Sequence, residues 1–294
     1  MNTGDPVESL PSTYTNFLES AGARTVPISF KWDKKRIYEA LDQVNGILFT
    51  GGDIEQYDYE KHEYHPYYLT TKLILEYVIK RNNRGDYFPL FAICQGFQSL
   101  HIAIAKDPTV LSNSIRWGNN DTMNLYFTPW ENSRLFTQTH EKFNPDFWNP
   151  FHDPDRIEFN WHQYGVYLSA YNKYPSLKNF FKILSYDDYE DGNPIVATVE
   201  AYNYPIYATQ YHPEKNSFDF LHPSIPHNRR AQQLTEDFAF FFVNECRKNK
   251  HRFPSYSEEV SHHINNYQRY FGLFEHGGDN VYIDYYVFED QLHN

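Results

Sequence analysis

Apolar positions along this chain switch between helical spacing and short continuous runs. Tyr14, Phe17 and Leu18 fall at i, i+3 and i+4, the face of a helix that stops near Gly22. Residues 24–28 read as a short strand. A helix is predicted over 32–41, with Ile37, Ala40 and Leu41 inward, and then a strand over 44–49 that runs into Thr50, Gly51, Gly52 and Asp53. After an aromatic, charged loop, a helix over 67–81 turns Leu73, Ile74, Tyr77 and Val78 inward, and residues 87–93 form a buried strand. Strands alternating with helical stretches predict crossover units, an α/β fold and a mostly parallel central sheet. In such sheets, sites form at the carboxyl ends of strands.

Further on, 106–160 is polar, aromatic and rich in Asn and Pro. Leu111, Ile115, Leu125 and Phe127 point there to short strands and hairpins, Leu135 and Phe136 to a short helix, and 143–155 to a surface loop. Residues 157–162 alternate as an aromatic strand. A helical piece at 177–181 precedes strands at 182–186, 195–200 and 204–211, the last two as a hairpin. The clearest helix is 229–249, with Leu234, Phe238, Phe241, Phe242 and Cys246 on its buried stripe, and a last strand spans 281–288. No linker or repeat divides the chain, so one domain is expected over 1–294.

Composition narrows the partners. Aromatic residues make up 19% of the 294, with 26 Tyr and 24 Phe, so rings supply much of the core volume. Asp and Glu number 38 against 26 Lys and Arg. The net charge of -12 argues against nucleic acid or an anionic membrane as partner. No run of about 20 apolar residues is present to span a membrane, and no apolar signal segment opens the chain. Two cysteines, Cys94 and Cys246, make neither a disulfide framework nor a metal cluster, and no metal or other cofactor is expected. Asn120-Asp121-Thr122 is a glycosylation sequon, a triplet that also arises by chance.

The candidate chemistry begins where the strand 87–93 ends at Cys94. Gly96 follows, then helical spacing: the strand–turn–helix context of a nucleophile elbow. A glycine is needed where the backbone approaches itself, and a helix N-terminus favours the thiolate. Read alone, Cys94 is equally a core cysteine. Gly51-Gly52 can turn amides inward as an oxyanion hole, or be an ordinary turn. His212 and Glu214, two apart after a strand, face the same way in extended backbone, and the carboxylate can orient the imidazole. Together these motifs favour a thiol hydrolase with Cys94, His212 and Glu214 as its working set.

The chain also resembles gamma-glutamyl hydrolase, of the class I glutamine-amidotransferase-like superfamily. The blocks that carry the resemblance are 17–24, 45–52, 85–89, Cys94-Gln95-Gly96-Phe97, 204–216 and 241–249. It implies a flavodoxin-like α/β fold with helices on both faces. It implies cleavage of gamma-glutamyl peptides or folate polyglutamates through a thioester, commonly by a homodimer. Lysosomes, vacuoles or the extracellular space are the implied settings. Cys94 is then the nucleophile, His212 the base and Glu214 its orienting acid. His162 matches a second family histidine beside the cysteine, and Gly52 and Gln95 are the implied oxyanion donors. The substrate is polyanionic and the protein acidic, so a local cationic rim is expected, with Lys61, Arg116 and Lys215 as its candidates.

Three departures stand out. Ala92 replaces a usual family Gly two residues before the nucleophile. Gln98 stands where family hydrolases carry Glu, as in the amidotransferase C-x-G-x-Q pattern. The family's buried first strand, before the helix at 13–20, has no counterpart. An open sheet position is therefore expected beside residues 26–28, filled by residues 1–10, a partner chain or a piece outside this sequence. Two other readings follow: a glutamine amidohydrolase module, or a structural pseudoenzyme within a larger assembly.

Overall fold

The structure is a computed structural model and describes residues 8–113, 125–129, 133–139, 157–187, 192–276 and 279–288. In chain order it contains β1 (Glu8–Pro11), α1 (Ser12–Ser20), α2 (Lys34–Leu41), β2 (Ile47–Phe49), β3 (Tyr57–Asp58), β4 (Glu63–Tyr64), α3 (Pro66–Asn82), β5 (Leu90–Ile93) and α4 (Gln95–Ala105). Then come β6 (Leu125–Phe127), α5 (Arg134–Thr139), α6 (Ala170–Lys173), α7 (Pro175–Phe180), β7 (Phe181–Asp187), β8 (Ile195–Ala201) and β9 (Ile206–Thr209). The chain closes with α8 (Arg229–Cys246), α9 (Tyr256–His262), β10 (Arg269–His276) and β11 (Asp279–Phe288). Helix starts are written locally. Asp33 caps α2 by accepting from Arg36 N–H at 2.8 Å, Pro66 opens α3, and Asn228 caps α8 through Ala231 N–H at 3.0 Å.

The α/β class holds. The central sheet runs β2-β5-β9-β8-β7-β6. Its first three strands are mutually parallel, and β8, β7 and β6 continue it antiparallel. The sheet is therefore mixed rather than mostly parallel, because β8 and β9 form the hairpin that the sequence indicates. Side chains of β5 and β9 alternate between two apolar layers. Leu90, Ala92, Ile206 and Ala208 pack with α2, α3 and α4. Phe91, Ile93 and Tyr207 pack with α1, α5 and α8 on the other face. Ala92, the methyl in place of a glycine, is fully buried without disturbing β5.

Residues 24–28 and 157–162 are not strands. Both lack a ladder partner, and each is held by isolated bonds: Ile264 N–H donates to Thr25 O (2.9 Å), and His212 N–H to Phe159 O (2.8 Å). Among the described residues β2 has no strand on its outer edge. A cavity of about 980 Å³ is lined by β2 and by residues 26–28 among others. β1 does not fill that position; it pairs antiparallel with β11 in a separate three-stranded sheet with β10. Residues 1–7 lie outside the described residues, as do the sequon and the loop 143–155.

Candidate active site

The three parallel strands deliver the three candidate motifs to one end of the sheet. β2 leads into Gly51-Gly52, β5 into Cys94, and β9 into His212, three residues past its end. Cys94 sits at the apex of the turn with φ 52° and ψ -106°, a left-handed conformation that costs about 1–3 kcal/mol for a non-glycine residue. The turn is stitched to both neighbours. Cys94 N–H donates to Thr209 O at 2.8 Å, and Gly96 N–H donates to Thr50 O at 3.1 Å.

His212 is buried, and its Nδ1–H donates to Glu214 Oε1 at 2.8 Å. Its Nε2 has no hydrogen-bond partner among the described residues. Burial opposes a charge on the ring, but the Glu214 carboxylate and then the nearby Cys94 outweigh it and hold His212 up at about 10. An ideal Cβ on Gly51 would lie 3.0 Å from His212 Cε1 and 3.3 Å from Cys94 Cβ. Imidazole and thiol thus converge over one glycine, and no larger residue fits there. The thiol also lies 3.8 Å from Trp161 O. The residues flanking Glu214 are tied down: Thr235 Oγ1 donates to Pro213 O at 2.5 Å, and Asn216 Nδ2 donates to Ile157 O and Ala231 O at 3.0 Å each.

Around Cys94, four amides are candidates for an oxyanion. Gly51 N–H is taken by Tyr14 Oη (2.8 Å) and Gly96 N–H by Thr50 O. That leaves the amides of Gly52 and Gln95, which no acceptor among the described residues engages. Gln95 N–H belongs to the first turn of α4, where amides have no intrahelical acceptor.

His162 is brought close enough to His212 for the two charges to interact, but both of its nitrogens are engaged. Nδ1 lies 2.9 Å from Tyr164 O, which only accepts, so Nδ1 carries the proton. Nε2 therefore accepts from Asn160, 3.1 Å away. The Asn160 amide accordingly turns its NH₂ toward the ring, an orientation assigned from the network. Burial, and then His212, push His162 down to about 3, so it is a neutral support.

Two of the three expected cations are each paired with a carboxylate. Lys61 is exposed on the β3–β4 hairpin and pairs with Asp58 at 3.0 Å. Lys215 lines the cavity but is buried, with Nζ 2.6 Å from Asp219 Oδ2 and 5.3 Å from the Trp161 ring. Arg116 lies outside the described residues. Two residues to which the sequence reading gave no site role lie against the Gly51-Gly52 loop: Tyr14, whose hydroxyl reaches Gly51, and Tyr67, whose hydroxyl donates to Thr50 O at 3.1 Å. A phenol on a buried helix face requires a hydrogen-bond partner, and that was the available signal.

Residues 2–108 match the family model described as Peptidase C26. The chain is 31% identical over 275 residues to Gamma-glutamyl hydrolase 1 of Arabidopsis thaliana, covering 93% of this chain and 75% of that protein. It is 30% identical to Gamma-glutamyl hydrolase B of Dictyostelium discoideum, covering 93% of this chain and 76% of that one. With Gamma-glutamyl hydrolase of Homo sapiens it shares 31% identity over 85% of this chain and 74% of that one. With relatives at this identity and coverage, this chain belongs to the gamma-glutamyl hydrolase family of C26 peptidases.

Proposed function

We propose that this protein hydrolyses gamma-glutamyl bonds with Cys94 as its nucleophile. One observation carries the reading: a buried His212–Glu214 pair leaves Nε2 without a partner among the described residues, and its ring and Cys94 meet at Gly51. His212 is held protonated, and the nucleophilic form of Cys94 is its thiolate. The thiolate attacks the gamma-carbonyl carbon, and the carbonyl oxygen becomes an oxyanion facing the amides of Gly52 and Gln95. His212 gives its Nε2 proton to the leaving amine, and the C–N bond breaks to a thioester. The neutral ring then takes a proton from water, which attacks the thioester and releases the acid and the thiolate. Glu214 holds the Nδ1 proton throughout, fixing the tautomer.

Within this reading the substrate is a gamma-glutamyl peptide or folate polyglutamate, and the setting is lysosomal, vacuolar or extracellular; both rest on the family resemblance. The test is glutamate release from a fluorogenic gamma-glutamyl peptide. Cys94→Ala should abolish it, and surviving turnover would sink the mechanism. Faster turnover of free glutamine than of gamma-glutamyl-glutamate would shift the assignment to an amidohydrolase. Gln98, the residue that suggests that alternative, is buried with its Nε2 on Tyr164 O.

A further inference from the structure

The loop Thr50–Ile54 carries two adjacent glycines, yet side chains from three helices hold it. Tyr67 of α3 donates to Thr50 O at 3.1 Å. Gln95 of α4 donates through Nε2 to Ile54 O at 2.6 Å. Tyr14 of α1 accepts from Gly51 N–H at 2.8 Å. The last contact is the one nearest the chemistry. The point where Gly51 would carry a Cβ lies 2.4 Å from Tyr14 Oη, 3.0 Å from His212 Cε1 and 3.3 Å from Cys94 Cβ. Tyr14 itself is buried.

A Gly-Gly peptide in a loop rotates freely unless something fixes it. Of two successive amides, the one that finds an acceptor within the protein is spent, and the other is left to face the substrate. Burial, and then the charges of Glu214 and Cys94, keep the Tyr14 phenol protonated far beyond the working range. Its oxygen therefore stays an acceptor for Gly51. Among the described residues no acceptor takes its own proton.

We propose that Tyr14 is a positioning residue for the reaction: by taking the Gly51 amide it sets the Gly51–Gly52 peptide so that the Gly52 amide faces the oxyanion. This rests on the oxyanion role given above to Gly52. The geometry sets it apart from a packing role. Phe17 of α1 and Ala21 at its C-terminal cap pack as apolar groups, whereas the Tyr14 hydroxyl reaches the loop.

The experiment is Tyr14→Phe, which keeps the ring and removes the acceptor, measured three ways. Turnover of a gamma-glutamyl peptide should fall about 10- to 100-fold in kcat with KM within about twofold, because a misaimed donor acts in the transition state. The rate and pH profile of Cys94 alkylation by iodoacetamide, which needs no oxyanion donor, should stay within about twofold of wild type. Amide exchange across 50–54 should rise about tenfold, since Gly51 N–H loses its acceptor. Turnover within threefold of wild type overturns the inference, as does a parallel loss of turnover and alkylation, which marks general disruption of the site. The functional reading fails separately. If wild-type protein alkylates at Cys94 but turns over no gamma-glutamyl substrate, that reading is lost, and exchange at 50–54 still decides the role of Tyr14: unchanged exchange in Tyr14→Phe overturns it.

Discussion

Gly96 has no room for a side chain because Phe49 already occupies the space. An ideal Cβ on Gly96 would fall 2.7 Å from both the Cβ and the carbonyl oxygen of Phe49. The first turn of α4 and the end of β2 are thus in direct backbone contact, and the Thr50–Ile54 loop starts one residue later. Gly96→Ala is expected to cost about 1–3 kcal/mol of stability through overpacking and to lower turnover in the same variant. Urea unfolding alongside peptide hydrolysis checks this. A variant as stable as wild type would show that β2 yields to the added methyl.

Gln98 donates to Tyr164 O at 2.8 Å, the same carbonyl that takes the His162 Nδ1 proton. Gln98→Glu places an acceptor against an acceptor. About 1–3 kcal/mol should be lost at neutral pH, where the new carboxyl is ionised. The loss should shrink toward pH 5 as that buried carboxyl takes up a proton and donates in place of the amide. Denaturation midpoints at the two pH values separate this from a simple packing defect, which would give the same loss at both.

Lys215 and Asp219 form a buried pair at 2.6 Å, and Asp219 Oδ1 also accepts from Leu221 N–H at 3.1 Å. Lys215→Met leaves Asp219 without its counter-charge and should cost about 3–5 kcal/mol. The double variant Lys215→Met, Asp219→Leu should recover most of that. If the single change instead raised KM for a gamma-glutamyl substrate without changing stability, Lys215 would be a substrate cation after all.

Stability should peak between two histidine limbs. The folded pKa of His212 is raised to about 10 by Glu214 and Cys94 against burial. Its contribution is therefore complete below about pH 6.5, its unfolded value, and is lost as pH climbs through 10. Burial lowers His101 to about 4, and burial and then His212 lower His162 to about 3. For these the unfolded chain takes up protons first, so stability falls as pH drops from about 6.5 toward those values. His101 is locked neutral between Phe97 O and Tyr171 Oη at 2.9 and 2.8 Å. Unfolding free energies across pH 4–10 should show both limbs, and His212→Gln should flatten the alkaline one and lessen the acid one by the part His212 contributes at His162.

The elements with local causes were legible in the sequence. The elbow follows from a buried run, a lone cysteine and a glycine two residues on, and α8 from its five-residue stripe. The alternation of α1, α2 and α3 with β2 and β5 gave the crossover half of the sheet. What escaped depends on partners far along the chain. Residues 24–28 and 157–162 have strand composition but no neighbour to pair with. β1 has little strand signature and is fixed by β11, where Glu8 meets Phe288. Tyr14 read as one more apolar position because periodicity records which face is buried and not what a hydroxyl at its tip can reach.

The left-handed backbone at Cys94 sets stability against activity. At φ 52° and ψ -106° a glycine would sit without strain. Cys94→Gly should therefore relieve part of about 1–3 kcal/mol, less the packing of the lost thiol, and melt at or above the wild-type temperature while doing no chemistry. A library screened for thermal survival alone would accept that variant and discard the thiol. Only a screen that rewards turnover would keep the cysteine.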